Sequence, residues 1–85
     1  MALLPTQEIW EWKEFQIELG KRIRQLREER NLSQTELANL CEFERSNMNR
    51  IEAGNINPSA YVLYSISLKL NVETSELLNF KPLID

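Results

Sequence analysis

The sequence predicts an all-α domain with a helical extension at its N-terminus, and three observations lead there. Of its 85 residues 42% are apolar, while only 2 are Gly and 3 are Pro, a balance that favours helix over sheet or disorder. Apolar side chains recur at steps of three and four, the period of a helix with one buried face. Start and stop signals, among them Ser33 with Glu36, Gly54 and Ser59, divide these stretches into short segments. A chain of this length makes one domain. It buries only about 60–65% of the surface its unfolded form exposes, so the core has to be economical.

Residues 1–5 read as a frayed end, after which Thr6 is a helix cap. The helix it opens carries Ile9, Trp12, Leu19, Ile23 and Leu26 on one stripe, with Gln16 interrupting it and Trp10, Phe15 and Ile17 off it. Gly20 costs about 1 kcal/mol in a helix interior, which leaves room for a bend or a break there. From Gly20 to Arg30, Ile23 and Leu26 point inward, Arg22, Arg24 and Glu28 outward, and Asn31 is the stop. Arg27 borders the core and calls for a carboxylate, with Glu52 the candidate.

Ser33 and Glu36 have the spacing of a capping box. The helix they open, residues 34–41, buries Leu37, Ala38 and Cys41 and leaves Leu40 nearer the outer edge. Glu42 and Phe43 make a turn, with Phe43 dropping into the core. A second helix, residues 44–53, ends at Gly54, which accepts a left-handed conformation. Asn55 to Asn57 form a loop before Pro58. Ser59 caps a helix through Leu70 with Val62, Leu63, Ile66 and Leu70 in the core, and Asn71 ends it. A short helix over 73–79 brings Leu77 and Leu78, and residues 80–85 form a tail. The division expected is an extension over 1–18, a domain over 19–79 and the tail.

Composition excludes several kinds of protein. There is no His, one Cys, no Gly-rich phosphate loop and no evident pair of catalytic carboxylates, which argues against an enzyme, a metal site or any cofactor. Cys41 lacks a disulfide partner and reads as a structural thiol. No signal peptide is evident, and the longest uncharged run, 53–68, is broken by Asn55, Asn57 and Pro58. A soluble cytoplasmic protein is expected. The net charge of −3 is unusual for a nucleic-acid binder, but it is unevenly placed. Residues 1–18 carry Glu8, Glu11, Glu14 and Glu18 against Lys13. Residues 19–58 carry Lys21, Arg22, Arg24, Arg27, Arg30, Arg45 and Arg50 against six acids.

The segment from Leu32 to Gly54, LSQTELANLCEFERSNMNRIEAG, organises the rest. At 100° per residue, Arg45, Asn49, Ser46 and Arg50 span an arc of about 140° on its second helix, with Met48 and Ile51 opposite. One face packs and the other offers two guanidiniums, an amide and a hydroxyl. Together with Ile23, Leu26-Arg27, Leu32-Ser33-Gln34, Leu37-Ala38, Ile51-Glu52-x-Gly54, Pro58 and Leu70-x-Val72…Leu77-Leu78, this resembles the Cro/lambda-repressor-like helix-turn-helix family over residues 19–79.

The resemblance implies a compact bundle of about five short helices that binds double-stranded DNA. It places Arg45, Ser46, Asn49 and Arg50 at base edges in the major groove, where an Arg fork matches guanine O6 and N7. It places Ser33, Gln34, Asn47 and Asn55 at the phosphate backbone, and makes Arg27 and Glu52 a structural ion pair. Three positions depart from the family pattern: Glu42 where Gly is frequent, Glu44 where Ser or Thr caps the recognition helix, and Leu40 where a polar residue is common. The leading expectation is a sequence-specific transcriptional regulator binding a near-palindromic operator as a homodimer. Its dimer surface is either the C-terminal helix around Leu77, Leu78 and Phe80 or the Trp10/Trp12 segment. The alternative is a protein-interaction adapter or antitoxin-like partner, with the N-terminal aromatic segment holding another protein.

Overall fold

The computed structural model describes residues 11–80; the expectations for Thr6, Ile9, Trp10 and the last five residues lie outside them. Five helices follow in order: α1 (Trp12–Glu29), α2 (Gln34–Cys41), α3 (Arg45–Glu52), α4 (Ala60–Leu70) and α5 (Thr74–Leu77). No strand occurs among the described residues. α1 and α2 both pack on α3, α4 packs on α2, and α5 joins α4 to α1. The core they enclose comes from every helix: Leu19, Ile23 and Leu26; Leu37 and Ala38; Met48 and Ile51; Ile66 and Leu70; and Leu77.

Helix starts and stops follow local chemistry. The Ser33 hydroxyl accepts from the Glu36 N–H at 3.0 Å, and the Ser33 N–H donates to Glu36 Oε1 at 2.8 Å, so the capping box forms. Hydrogen bonding from the Ser33 backbone N–H, and after it from the Ser33 side chain, holds the Glu36 carboxyl below its ordinary pKa. Ser59 caps α4 through the Val62 N–H. The first four helices share one ending, a residue at positive φ: Asn31 (57°), Glu42 (59°), Gly54 (76°) and Asn71 (60°). In each case the next residue returns its N–H to the carbonyl five positions back, as Leu32 to Arg27, Phe43 to Ala38, Asn55 to Arg50 and Val72 to Ser67. Leu32, Phe43 and Val72 also pack against the core. Asn55 is the polar exception and is exposed.

Two expectations about α1 are corrected. It runs unbroken through Gly20, where the glycine serves close packing. A Cβ there would stand 2.6 Å from the Ile51 carbonyl oxygen and nearer still to that of Glu52, so the two helix backbones meet where no side chain fits. Trp12 is not on the buried face: it is 70% exposed, and Gln16, which interrupted the stripe, is buried instead. The reason is polar. Gln16 Nε2 donates to the Gly54 carbonyl at 3.0 Å, supplying the donor that the end of α3 needs. Phe15 and Ile17 are half-buried, Phe15 against the Phe80 ring at 5.5 Å between centroids.

Beneath the helix crossing lies an ion pair. Arg27 Nε and Nη2 donate to the two Glu52 carboxylate oxygens at 2.6 and 2.8 Å, and Arg27 Nη1 donates to the Leu32 carbonyl at 2.7 Å. Hydrogen bonding to Glu52 raises the Arg27 pKa against the opposing effect of burial. Among the described residues no buried side-chain polar atom lacks a partner.

Three substitutions test this account by thermal melting. Glu52→Ala strands a buried guanidinium and is expected to destabilise by about 3–5 kcal/mol; unchanged melting would refute the pair's structural role. Gly20→Ala should destabilise by about 1–3 kcal/mol through overpacking, even though Ala is the better helix former. Glu42→Gly relieves a left-handed conformation that costs a non-Gly residue about 1–2 kcal/mol. It loses part of that to the unfolded chain's added freedom, so a rise of a few degrees in Tm is expected.

Candidate nucleic-acid interface

α3 has two chemically distinct sides. Met48, Ile51 and Glu52 are buried, whereas Arg45, Ser46, Asn47, Asn49 and Arg50 are exposed. Arg45, Ser46, Asn49 and Arg50 together line one shallow depression on the outer face. Asn47 stands beside it, its Oδ1 accepting from Arg50 Nη1 at 3.3 Å. The carboxylate of Glu44, the cap residue, makes no side-chain cap hydrogen bond.

The disposition of charge matters more than its sum. Lys21 pairs with Glu18, Arg22 with Glu76, Arg24 with Glu28, Arg27 with Glu52 and Arg30 with Glu29. The described cations outside every ion pair are Lys13, Arg45, Arg50 and Lys69. Two of those four are on the outer face of α3, and Lys13 reaches the loop that follows it. The basic residues that sequence counting placed in the middle of the chain are thus mostly neutralised on α1, and the unneutralised ones gather at α3.

Of the residues expected near phosphates, Gln34, Asn47 and Asn55 are hydrogen-bonded to residues of α3, and Ser33 precedes Gln34. Gln34, half-buried at the start of α2, donates Nε2 to Glu52 Oε1 at 3.0 Å and accepts from Asn49 Nδ2 at 3.5 Å. A chain of hydrogen bonds therefore runs from Arg27 through Glu52 and Gln34 to the exposed Asn49. Ser33 is exposed, with its N–H taken by Glu36 and its hydroxyl oxygen accepting within the capping box. Asn55 lies beyond the far end of α3, its N–H bound to the Arg50 carbonyl at 2.9 Å and its Oδ1 to Lys13 Nζ at 3.1 Å.

Lys13 and Gln16 were not singled out as site residues in the sequence. Gln16 left a signal, a polar residue on an apolar stripe; Lys13 left none, because an exposed lysine on a helix is ordinary. Apolar exposure is concentrated elsewhere, at Tyr61, Tyr64 and Leu68 on one side of α4, at Leu40 and at Trp12. Leu77 is buried and Phe80 half-buried, so of the C-terminal trio Leu78 is the exposed one. Cys41 is half-buried and burial raises its pKa, which keeps it a thiol at neutral pH. No group of potential metal ligands and no helix long and apolar enough to cross a membrane is found among the described residues.

Comparison with known proteins gives this arrangement a family. A model of the helix-turn-helix domain matches residues 20–81. Among solved structures, the restriction-modification controller protein C.AhdI from Aeromonas hydrophila is 34% identical, with a TM-score of 0.71 over 72% of this chain and 92% of that one. SinR, described as a master regulator for biofilm formation and solved in complex with DNA, is 35% identical, with a TM-score of 0.69 over 72% of this chain and 98% of that one. A hypothetical transcription factor from Neisseria, 24% identical, shares the fold at a TM-score of 0.75 over 96% of this chain and 87% of that one. No curated protein matches. The chain belongs to the helix-turn-helix family, among the DNA-binding transcription regulators of the Cro/C1 type.

Proposed function

We propose that this protein is a sequence-specific regulator that binds a near-palindromic operator as a homodimer, with α3 in the major groove. The observation that carries the reading is the outer face of α3, where Arg45 and Arg50 are exposed and unpaired while the arginines of α1 are held in ion pairs. A helix fits the major groove, and unpaired guanidiniums beside Ser46 and Asn49 suit base edges. Gln34, Asn47 and Asn55, which contact α3 residues, and Ser33 at the cap of α2 are assigned to the phosphates that set register. Likeness to a restriction-modification controller and to a regulator solved with DNA supports the assignment. One such domain reads only a few base pairs, so two copies on half-sites about 34 Å apart supply the discrimination.

Selection of random duplex DNA by the purified protein, followed by sequencing, is the direct test. A two-fold symmetric motif is expected; no enrichment at low salt, where weak phosphate binding still registers, would favour the protein adapter instead. On the selected duplex, Arg50→Ala should weaken binding by about 1–3 kcal/mol and relax preference at one base pair. An equal loss on every sequence would reassign Arg50 to the backbone.

A further inference from the structure

Lys13 stands seven positions before the first residue matched by the family model, yet its side chain reaches the loop at the end of α3. Nζ donates to the Gly54 carbonyl at 2.6 Å and to Asn55 Oδ1 at 3.1 Å. An ammonium has three N–H donors, and these contacts engage two. The residue is exposed and belongs to none of the ion pairs, although Glu11 and Glu14 are its close neighbours in sequence. Asn55 is placed from the other side. It occupies the position after a left-handed residue that α1, α2 and α4 fill with Leu32, Phe43 and Val72, all turned to the core. Here the residue is polar and exposed, and while its Oδ1 accepts from Lys13 its amide Nδ2 donates to no described residue.

We infer that Lys13 and Asn55 form a joint contact for one backbone phosphate of duplex DNA, resting on the reading of α3 as the DNA-facing helix. The phosphodiester oxygens receive the remaining Lys13 N–H and the Asn55 amide, a cation and a neutral donor side by side. Gln16 is a positioning residue: buried, it holds the same Gly54 carbonyl at 3.0 Å and fixes the loop on which Asn55 rides. The segment preceding the family domain is thereby part of the DNA-binding surface, anchored to the end of α3 by two side chains one helical turn apart on α1.

The salt dependence of binding tests this. Affinities of the wild-type chain, Lys13→Met and Lys13→Arg would be measured between 50 and 200 mM salt on the selected duplex and on a mixed-sequence duplex. Loss of one phosphate contact lowers the salt slope by about 1, so the Lys13→Met defect should shrink about 3- to 4-fold across that range, equally on both duplexes. Lys13→Arg should keep the wild-type slope. A lysine that only closes the end of α3 would lower the melting temperature of Lys13→Met and leave the slope alone, which would overturn the inference. Amine-reactive labelling of the wild-type chain needs no variant: duplex should protect Lys13 and leave Lys69 reactive, and equal labelling of Lys13 with and without duplex would also refute it. Wild-type protein that binds no duplex removes the parent reading as well; intact binding with an unchanged slope removes this one alone.

Discussion

The fork between Arg27 and Glu52 fixes how the first helix lies on the third, and the outer surface inherits its geometry from that contact. Burying two charges is costly, and a pair of this kind adds little stability over an apolar isostere. Its effect is on register. A guanidinium that donates to both oxygens of one carboxylate and to the Leu32 carbonyl tolerates no sliding of α1 along α3. Gly20 sits two turns earlier on the same helix, where α1 touches the backbone at the end of α3, so charge and close approach select the same crossing. Glu52 also accepts from Gln34, and Gln34 from Asn49, which carries the constraint from the interior to the exposed face.

Most of the fold was legible because its signals are local. Ser33 with Glu36, Ser59, Asn31, Asn71 and Gly54 each act within one helical turn, and the structure uses them where the sequence puts them. What was not legible depends on which distant group meets a residue. Gly20 looked like a helix breaker, since its role is visible only when the Ile51 and Glu52 carbonyls are beside it. Trp12 and Gln16 were exchanged for a related reason. Periodicity puts both on one face, but hydrophobicity cannot tell that this part of α1 meets a helix end, with a carbonyl to satisfy, in place of an apolar side chain.

The candidate site was legible to a different degree. The division of α3 into a packed and a polar side follows from angular spacing alone, and Arg45, Ser46, Asn49 and Arg50, which the spacing puts outward, are all exposed. Charge was not readable in that way. A net charge of −3 argues against a nucleic-acid partner only if charges act together, and exposed charges farther apart than about 8 Å are largely screened at physiological salt. The relevant quantity is local. Ion pairing neutralises every base of α1 except Lys13, by its own neighbours or by Glu52 and Glu76, and leaves those of α3 outside any ion pair. Sequence counts both sets alike.

The start of α1 and the residues after α5 lie side by side, which changes the question of assembly. Sequence offers an N-terminal aromatic segment and a C-terminal apolar one as separate surfaces. Phe15 packs on Phe80, and Arg22 donates to the backbone carbonyl and the carboxylate of Glu76, so the start of α1 and the end of the domain are adjacent in one protomer. Trp12 lines a shallow depression with Phe15, next to that junction. The same stretch of α1 reaches, through Lys13 and Gln16, the loop after α3. The N-terminal part of α1 is therefore held between the C-terminal end of the domain and the edge of the polar face. One stretch of helix thus supports both regions, the first by aromatic packing on Phe80 and the second by hydrogen bonds to the Gly54 carbonyl.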